Sequence, residues 1–518
     1  MFLLRLVPST SFQPCLKGSL KGSLKGSLGQ YVGHPTIFSK THQRRRLTST
    51  TTNNQVRLYS SNSPDLAGRK SSSVQKLNSS NSSNSSPSKK KPPSLNLQPP
   101  KGTRDFPPPL LRLRTYLFTL FRSASLSHGF SEYDSPVLES EELYTRKAGE
   151  EVTEQLYCFS DKGDRRVTLR PEMTPSLARI IMGTKPALPI KWFSIPQCWR
   201  YERMTRGRRR EHYQWNVDVW GVQGVEAEVE VISVMVRFFT SVGITQSDVG
   251  IKVNSRGIIG ALLEGLGIPE DKFAETCVLI DKLEKVPVEA LKADLEELGI
   301  TEEQITSLTD VLVHKDIEKI SEVVGDCPAV QDVRKLFSMC TELGIVDWLE
   351  FDASVIRGLS YYTGIVFEAF DRSGTLRAIA GGGRYDKLLE SFGGDPTPAV
   401  GFGFGDAVIV ELLKDKNLLP DFEKGEVEFC VYSMDEGGTA KAMKVANELR
   451  EKGCSVDVVL EEKKMKWAFK HADRIGAKRV VIVGGDEGSR GEVRVKNMES
   501  GEQETVKVAE IGEWAENI

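Results

Sequence analysis

The chain has 518 residues, 39% hydrophobic and 27% charged, which allows two to four domains and a sizeable core. No apolar run approaches the length of a membrane-spanning helix, and the opening Phe2-Leu-Leu-Arg-Leu-Val is far too short. Residues 1–100 hold fifteen Lys/Arg and one acid, Asp65, whereas the rest carries 54 of the 69 basic and 70 of the 71 acidic residues, so polyanion binding in that acidic body must rest on local basic patches.

Residues 1–64 contain no Asp or Glu, are rich in Ser, Thr and Arg, and carry three tandem KGSL units (17–28) and the run Arg44-Arg45-Arg46. That is the composition of an organelle transit peptide, and it predicts import into the chloroplast, the mitochondrion or both. The Ser/Asn/Pro/Lys stretch 71–100 lacks the apolar content to fold and reads as a disordered linker. Eight cysteines (15, 158, 198, 277, 327, 340, 430, 454) and six histidines are dispersed with no CxxC, so no metal site is expected and the cysteines read as buried thiols.

Order is expected from Lys101. Residues 110–128 predict a helix with Leu110, Leu113, Leu117, Leu120, Phe121 and Ala124 on one face, ended by Gly129. Residues 156–159 and 166–170 predict a hairpin around Asp161-Lys-Gly-Asp. Its second strand runs into Thr168-Leu-Arg-Pro-Glu-Met-Thr174, which sets Glu172 and Thr174 just past a strand end, with Pro175 opening a helix over 175–182. Thr174 is there either a plain N-cap or a site group.

Residues 196–218 read strand, basic loop, strand, with Arg200, Arg203, Arg206, Arg208, Arg209 and Arg210 crowded together. Guanidinium stays charged and pairs bidentately with phosphate oxygens, so the hairpin is either a polyphosphate clamp or a solvated basic loop. On the outgoing strand Gln214 and Asp218 point to one face and Trp215 and Val217 to the other. Residues 225–240 predict a core helix, and 268–345 a run of short Glu/Lys/Leu-rich helices read as an insertion, with Asp271, Pro287 and Thr301 as breakers or caps.

The run 351–370 looks strand-like, with Arg357 beside Gly358 and with Tyr361 and Tyr362 following. Arg357 needs either a structural carboxylate or an anionic ligand, because an unpaired buried charge is expensive. Ala380-Gly-Gly-Gly-Arg-Tyr-Asp386 and Ala399-Val-Gly-Phe-Gly-Phe-Gly405 suggest a nucleotide cradled on an antiparallel sheet; no βαβ unit or P-loop is present. Beyond 425, strands at 427–432, 456–460 and 479–484 alternate with helices at 438–452 and 463–476, a small α/β domain with partly parallel strands. Lys463, Lys466, Lys470 and Arg474 share a helix face with Trp467, which suits single-stranded RNA or a solvated amphipathic helix.

TLRPEMT (168–174), WRYER…GRRREHYQ (199–214), RGLSYYTGIVFEAF (357–370), AGGGRYD (380–386) and AVGFGFG (399–405) together resemble, in order, the histidyl-tRNA synthetases, which are class II aminoacyl-tRNA synthetases. The resemblance covers about 101–518. It implies an α/β (α+β) fold: an antiparallel catalytic sheet flanked by helices over 101–420, a helical insertion, and an anticodon-binding domain over 425–518. It further implies a homodimer, with the 110–138 region in its interface, and ATP (with Mg2+), L-histidine and histidine tRNA as ligands. By resemblance, Arg200 holds the α-phosphate, Arg208 the pyrophosphate end, and Glu202 the adenine side. Glu172, Thr174 and Gln214 take the amino group of histidine, Asp218, Tyr361 and Tyr362 the imidazole, and Met173, Arg200 and Arg357 also belong to the histidine site. Arg357 stabilises charge developing on the α-phosphate, and Arg357 and Arg200 are the catalytic pair. The basic face around Trp467 is assigned to tRNA.

Two positions depart from the family pattern. Ser360 stands where the hexapeptide usually has Asp. Val408 stands where the third class II motif has an ATP-contacting arginine, so either Arg208, Arg209 or another group compensates or ATP binds more weakly. A non-catalytic regulatory paralogue of this fold lacks the arginine pair and the last domain; Arg200, Arg357, Glu172, Gln214 and residues 425–518 argue against that reading.

Overall fold

The computed structural model describes residues 95–146, 153–280, 288–357, 361–423, 425 and 427–518. The transit-peptide reading, Pro287 and Gly358-Leu359-Ser360 lie outside the described residues.

The strands, in chain order, are β1 (Ser131–Glu132), β2 (Leu138–Ser140), β3 (Tyr157–Ser160), β4 (Arg166–Leu169), β5 (Ile190–Ser194), β6 (Gln197–Trp199), β7 (Glu211–Trp220) and β8 (Val249–Ser255). There follow β9 (Leu349–Phe351), β10 (Ile365–Asp371), β11 (Ala380–Arg384) and β12 (Ala399–Gly405), and then β13 (Phe429–Ser433), β14 (Val456–Val458), β15 (Arg479–Val483), β16 (Glu492–Asn497) and β17 (Gln503–Lys507). The large sheet has nine strands in the order β1-β5-β7-β12-β11-β10-β8-β9, with β6 also on β7. Its pairings from β5 through to β8 are antiparallel, and only the edge pairs β1·β5 and β8·β9 are parallel.

Period-2 alternation gives this sheet two different faces. Trp215 and Val217 on β7, and Val400, Phe402 and Phe404 on β12, point into the main core. Helices Pro108–Ser127 and Glu226–Ser241 cover that face; Phe121 stacks on Trp215 with centroids 4.7 Å apart, and the indole N–H donates to Ser125 Oγ at 3.0 Å. Burial of each such aromatic contributes about 1.5–3 kcal/mol. The opposite face carries Gln214 and Asp218 beside the glycines of β11 and β12, and it forms the floor of the site.

The hairpin β3–β4 forms where expected, because Asp161 Oδ1 accepts from the backbone N–H of Gly163 (2.8 Å) and Arg165 (3.0 Å) and closes the turn. Among the insertion helices, Thr301 caps Glu302–Leu312 in a reciprocal box with Gln304. Ile305, Leu308 and Leu312 share a separate apolar cluster with Leu262 and Leu263. Helix Pro328–Glu342 instead sends Val330, Val333 and Leu336 into the core of the large sheet.

The strand-like reading of 351–370 is corrected. β9 ends at Phe351, and Asp352 Oδ1 accepts from Ser354 N–H (3.1 Å) and its hydroxyl (2.6 Å), which turns the chain out of the strand; the described residues 352–357 and 361–364 are not strand, and β10 begins at Ile365. Beyond 425, β14-β13-β15 are parallel, and β16 and β17 extend the sheet antiparallel. The last two strands are additional to the expected ones, although the alternation of Val493 and Val495 with Glu492, Arg494 and Lys496 carries their signal. The seven described cysteines are free thiols, and no described helix is long and apolar enough to cross a membrane.

Candidate active site

The segment between β4 and helix Thr174–Thr184 is anchored by Arg170, a residue the motif reading passed over. Its side chain is 2% exposed and donates to Gln197 O (3.0 Å), Ser135 O (2.6 Å) and Asp134 Oδ1 (3.0 Å). That fixes Glu172, which accepts from the Tyr361 hydroxyl at 3.1 Å, while Arg200 Nε donates to the adjoining Pro171 O at 3.0 Å. Burial raises the Glu172 carboxyl above its ordinary range, although Arg200 and the Tyr361 hydroxyl pull it down. Thr174 does not cap: Met173 is the N-cap residue, and Thr174 opens the first turn with its hydroxyl near that of Tyr361. The Met173 side chain is fully buried, with its sulfur 3.5 Å from Ser135 Oγ, so it packs behind the segment rather than on the floor.

Glycine is required beneath two of these side chains. A Cβ on Gly401 would strike Asp218 Oδ1, and one on Gly403 would strike Gln214 Nε2. Asp218 is 2% exposed and accepts a short hydrogen bond from the Tyr385 hydroxyl. Tyr385 stands in the AGGGRYD motif but had no assigned role. Its ring lies 5.8 Å from that of Tyr361, which is 5.1 Å from Tyr362, so Asp218, Tyr385, Tyr361 and Glu172 form one connected wall. Burial pushes the Tyr362 phenol up to about 12.

Burial is also the main cause that pushes Asp218 up to about 7; the charge of Glu172 adds to it, and the Tyr385 hydrogen bond opposes it. An unfolded aspartate titrates near ~3.9. The folded value is the higher one, so the stability from this carboxyl is intact below the unfolded value and is lost as pH rises to about 7. Asp218→Asn has no such titration. Its Tm advantage over the parent should widen from about pH 5 to about pH 7 and level off above that. Thermal unfolding of both proteins across that range measures it, and a gap that narrows with rising pH contradicts the assignment.

The arginine loop sorts its charges. Arg200, Arg208 and Arg209 line a cavity of about 230 Å³ together with Glu202, His212, Gln214, Arg357, Arg377, Gly381 and Val408. Arg208 is ion-paired with Glu202. Arg206 turns away to Asp415 (2.8 Å) and Glu411 (3.1 Å) on helix Asp406–Asp415, and Arg210 stacks on the Tyr201 ring at 3.7 Å. Val408 is buried under the loop, its Cγ2 being 3.1 Å from where a Cβ on Gly207 would lie. Burial, with Arg200, Arg104 and Arg208 nearby, holds His212 down to about 3, so it is a neutral imidazole in this basic cavity.

Arg357 adopts φ 62° in its loop, its carbonyl accepts from Arg256 at 2.6 Å, and its guanidinium pairs with Glu368 directly over Gly381. The structural-carboxylate partner is therefore present, and the same guanidinium still lines the cavity. The arrangement sets a buried, carboxylate-lined floor suited to a small cationic or imidazole-bearing molecule beside a cavity ringed by guanidinium groups suited to a polyphosphate.

On the last domain, Lys466, Lys470 and Arg474 are exposed on helix Met465–Ile475, and Trp467 is 40% exposed. Lys463 pairs with Glu461 at 2.6 Å and lies over the Trp467 ring. Trp467 stacks on His471 at 4.9 Å. Arg474 donates to His471 Nδ1 (2.8 Å), which leaves the Nε2–H to donate to Asp457 (2.8 Å), a fixed polar frame behind the aromatic pair.

Residues 102–406 match the histidyl-tRNA synthetase family, and residues 428–518 match the anticodon binding domain family. The chain is 54% identical over 420 residues to the chloroplastic/mitochondrial histidine–tRNA ligase of Arabidopsis thaliana, covering 80% of this chain and 86% of the relative. It is 39% identical over 416 residues to the histidine–tRNA ligase of Halobacterium salinarum, covering 79% and 95%. A crystal structure of histidyl-tRNA synthetase from Nostoc sp. superposes with a TM-score of 0.68 at 24% identity, covering 82% of this chain and all of that one; at that identity it speaks to the fold alone. Matches that run through both the arginine-ringed sheet and the last domain place this chain in the histidyl-tRNA synthetase family.

Proposed function

We propose that this chain activates histidine with ATP and transfers the histidyl group to the 3′ end of histidine tRNA, in the service of organellar protein synthesis. The observation that carries the reading is the pairing of a glycine-opened polar floor (Glu172, Gln214, Asp218) with the adjoining arginine-lined cavity. Histidine lies with its amino group toward Glu172, Thr174 and Gln214 and its imidazole toward Asp218, Tyr361 and Tyr362. Its carboxylate oxygen attacks the α-phosphorus of ATP, the bond to the β-phosphate oxygen breaks, and pyrophosphate leaves. Arg200 and Arg357 hold the α-phosphate from two sides and oppose the charge that grows on it, while Arg208 releases Glu202 to meet the pyrophosphate end. Preorganised donors aimed at developing charge are what such a transfer mainly asks of a protein. Glu202 is the one carboxylate among the described residues lining the cavity, so the fit is to magnesium carried in with ATP rather than held by the protein.

The second step passes the histidyl group from the adenylate to the terminal ribose of tRNA and releases AMP. The exposed face of Trp467, Lys466, Lys470 and Arg474 meets the RNA, the lysines and arginine on its backbone and the ring against a base. The acid-free presequence and the printed name of the Arabidopsis relative support a chloroplast or mitochondrial location. A homodimer agrees with the exposure of Leu110 (47%) and Leu111 (40%) on helix Pro108–Ser127.

Exchange of labelled pyrophosphate into ATP tests the first step. The purified chain should exchange only when histidine is added, and no exchange with histidine would sink the reading.

A further inference from the structure

The position that carries an ATP-contacting arginine in the resemblance is Val408 here, and its side chain is buried under the arginine loop. The corner of the cavity beside it is nevertheless basic. Arg377 lines the same cavity from the segment between β10 and β11. That segment is tied to the strand leading to Val408: Ile379 O accepts from Gly405 N–H at 3.4 Å, and Ile379 N–H donates to Ala369 O at 2.8 Å. The backbone two residues from Arg377 is thereby fixed against the N-terminal end of helix Asp406–Asp415.

Among the described residues, Arg377 makes no hydrogen bond or ion pair. Glu368, the nearby carboxylate, is already taken by Arg357. Arg377 is solvent-exposed at the cavity wall, and partial desolvation there with the charge of Arg200 disfavours its cation, which Glu368 offsets in part. A guanidinium that shares a cavity with four other arginines and has no hydrogen-bonded carboxylate is in an arrangement that an entering anion relieves. The chemistry of such a corner, a planar fork of donors at the wall of a basic cavity, is that of a phosphate site.

We infer that Arg377 is an ATP-binding residue that contacts the triphosphate and takes over the work of the arginine absent at position 408. This rests on the ATP reading of the cavity proposed above. The guanidinium stands on the segment before β11 rather than on the helix after β12, where Val408 packs under the loop.

Histidine-dependent pyrophosphate exchange by the full chain, run as a function of ATP at saturating histidine, tests it. Arg377→Ala should raise the KM for ATP at least about tenfold, with kcat within a few-fold and the KM for histidine unchanged. Arg377→Lys should recover part of that loss, because it keeps the charge without the fork. Arg209→Ala serves as the comparison, since Arg209 lines the cavity from the loop. An unchanged ATP KM in Arg377→Ala, or an effect confined to Arg209→Ala, overturns the inference while leaving the parent reading intact. A general loss of Tm in Arg377→Ala with both KM values raised together also overturns it, by making the residue structural. Absence of exchange in the unaltered chain removes the parent reading and this inference with it.

Discussion

Arg357→Ala should lower the rate of histidyl-adenylate formation by about 10²–10³-fold, the usual cost of removing one preorganised donor from a developing oxyanion. Histidine affinity should stay mostly intact. The backbone at φ 62° is as strained for arginine as for alanine, so the substitution changes the site rather than the loop. It also strips Glu368 of its partner beside the α-phosphate, so an unscreened carboxylate adds repulsion to the lost attraction. Arg357→Ala combined with Glu368→Gln should therefore recover part of the rate. Single-turnover adenylate formation, with histidine binding followed separately, measures both. Near-normal exchange in Arg357→Ala would show that the ion pair with Glu368 is its whole purpose.

A comparable loss, this time of stability, is expected at the far end of β11. Arg384 is 7% exposed and grips Glu228, which is fully buried, through Nε (2.7 Å) and Nη2 (2.5 Å). Its remaining donors reach Val222 O (2.9 Å), Gly224 O (2.9 Å) and Asp386 (3.3 Å), so the guanidinium staples the turn after β7 and the start of helix Glu226–Ser241 to the catalytic sheet. Arg384→Met would leave Glu228 charged and unpaired inside the core, which costs about 3–5 kcal/mol. Arg384→Met with Glu228→Leu should regain most of that, because a buried pair replaced by apolar groups of similar size is close to neutral. Urea unfolding of the two variants separates the cases, and equal midpoints for single and double variants would mean that the pair is not what holds this corner.

The two predictions show where sequence was sufficient and where it was not. Arg357 could be singled out from sequence because a lone arginine beside glycine in an apolar run is chemically conspicuous. Its surroundings could not: the Asp352–Ser354 turn that takes it out of the strand, and the Glu368 eleven residues on that pairs with it, depend on how β9, β8 and β10 align. Arg384 was quoted within a motif, yet its partner lies 156 residues away, a separation no local pattern spans. Tyr385 and Arg170 had the same fate, each being defined by a partner on another element. His212 reads as an ordinary histidine until desolvation, with Arg200, Arg104 and Arg208 nearby, holds it down to about 3.

By itself, the sequence determined the periodic features: the long helix before β1, the alternation that sends Gln214 and Asp218 to one face of β7 and Trp215 and Val217 to the other, the hairpin at Asp161, and the cluster of arginines. These follow from neighbours in the chain, since side-chain direction repeats with the geometry of the element. Only the tertiary structure decided which arginines share the cavity, which turn away to Asp415 or Tyr201, and why glycine lies under Asp218 and Gln214. Those outcomes depend on the close approach of strands far apart in sequence, because burial and pairing between charges are set by distance in space rather than along the chain.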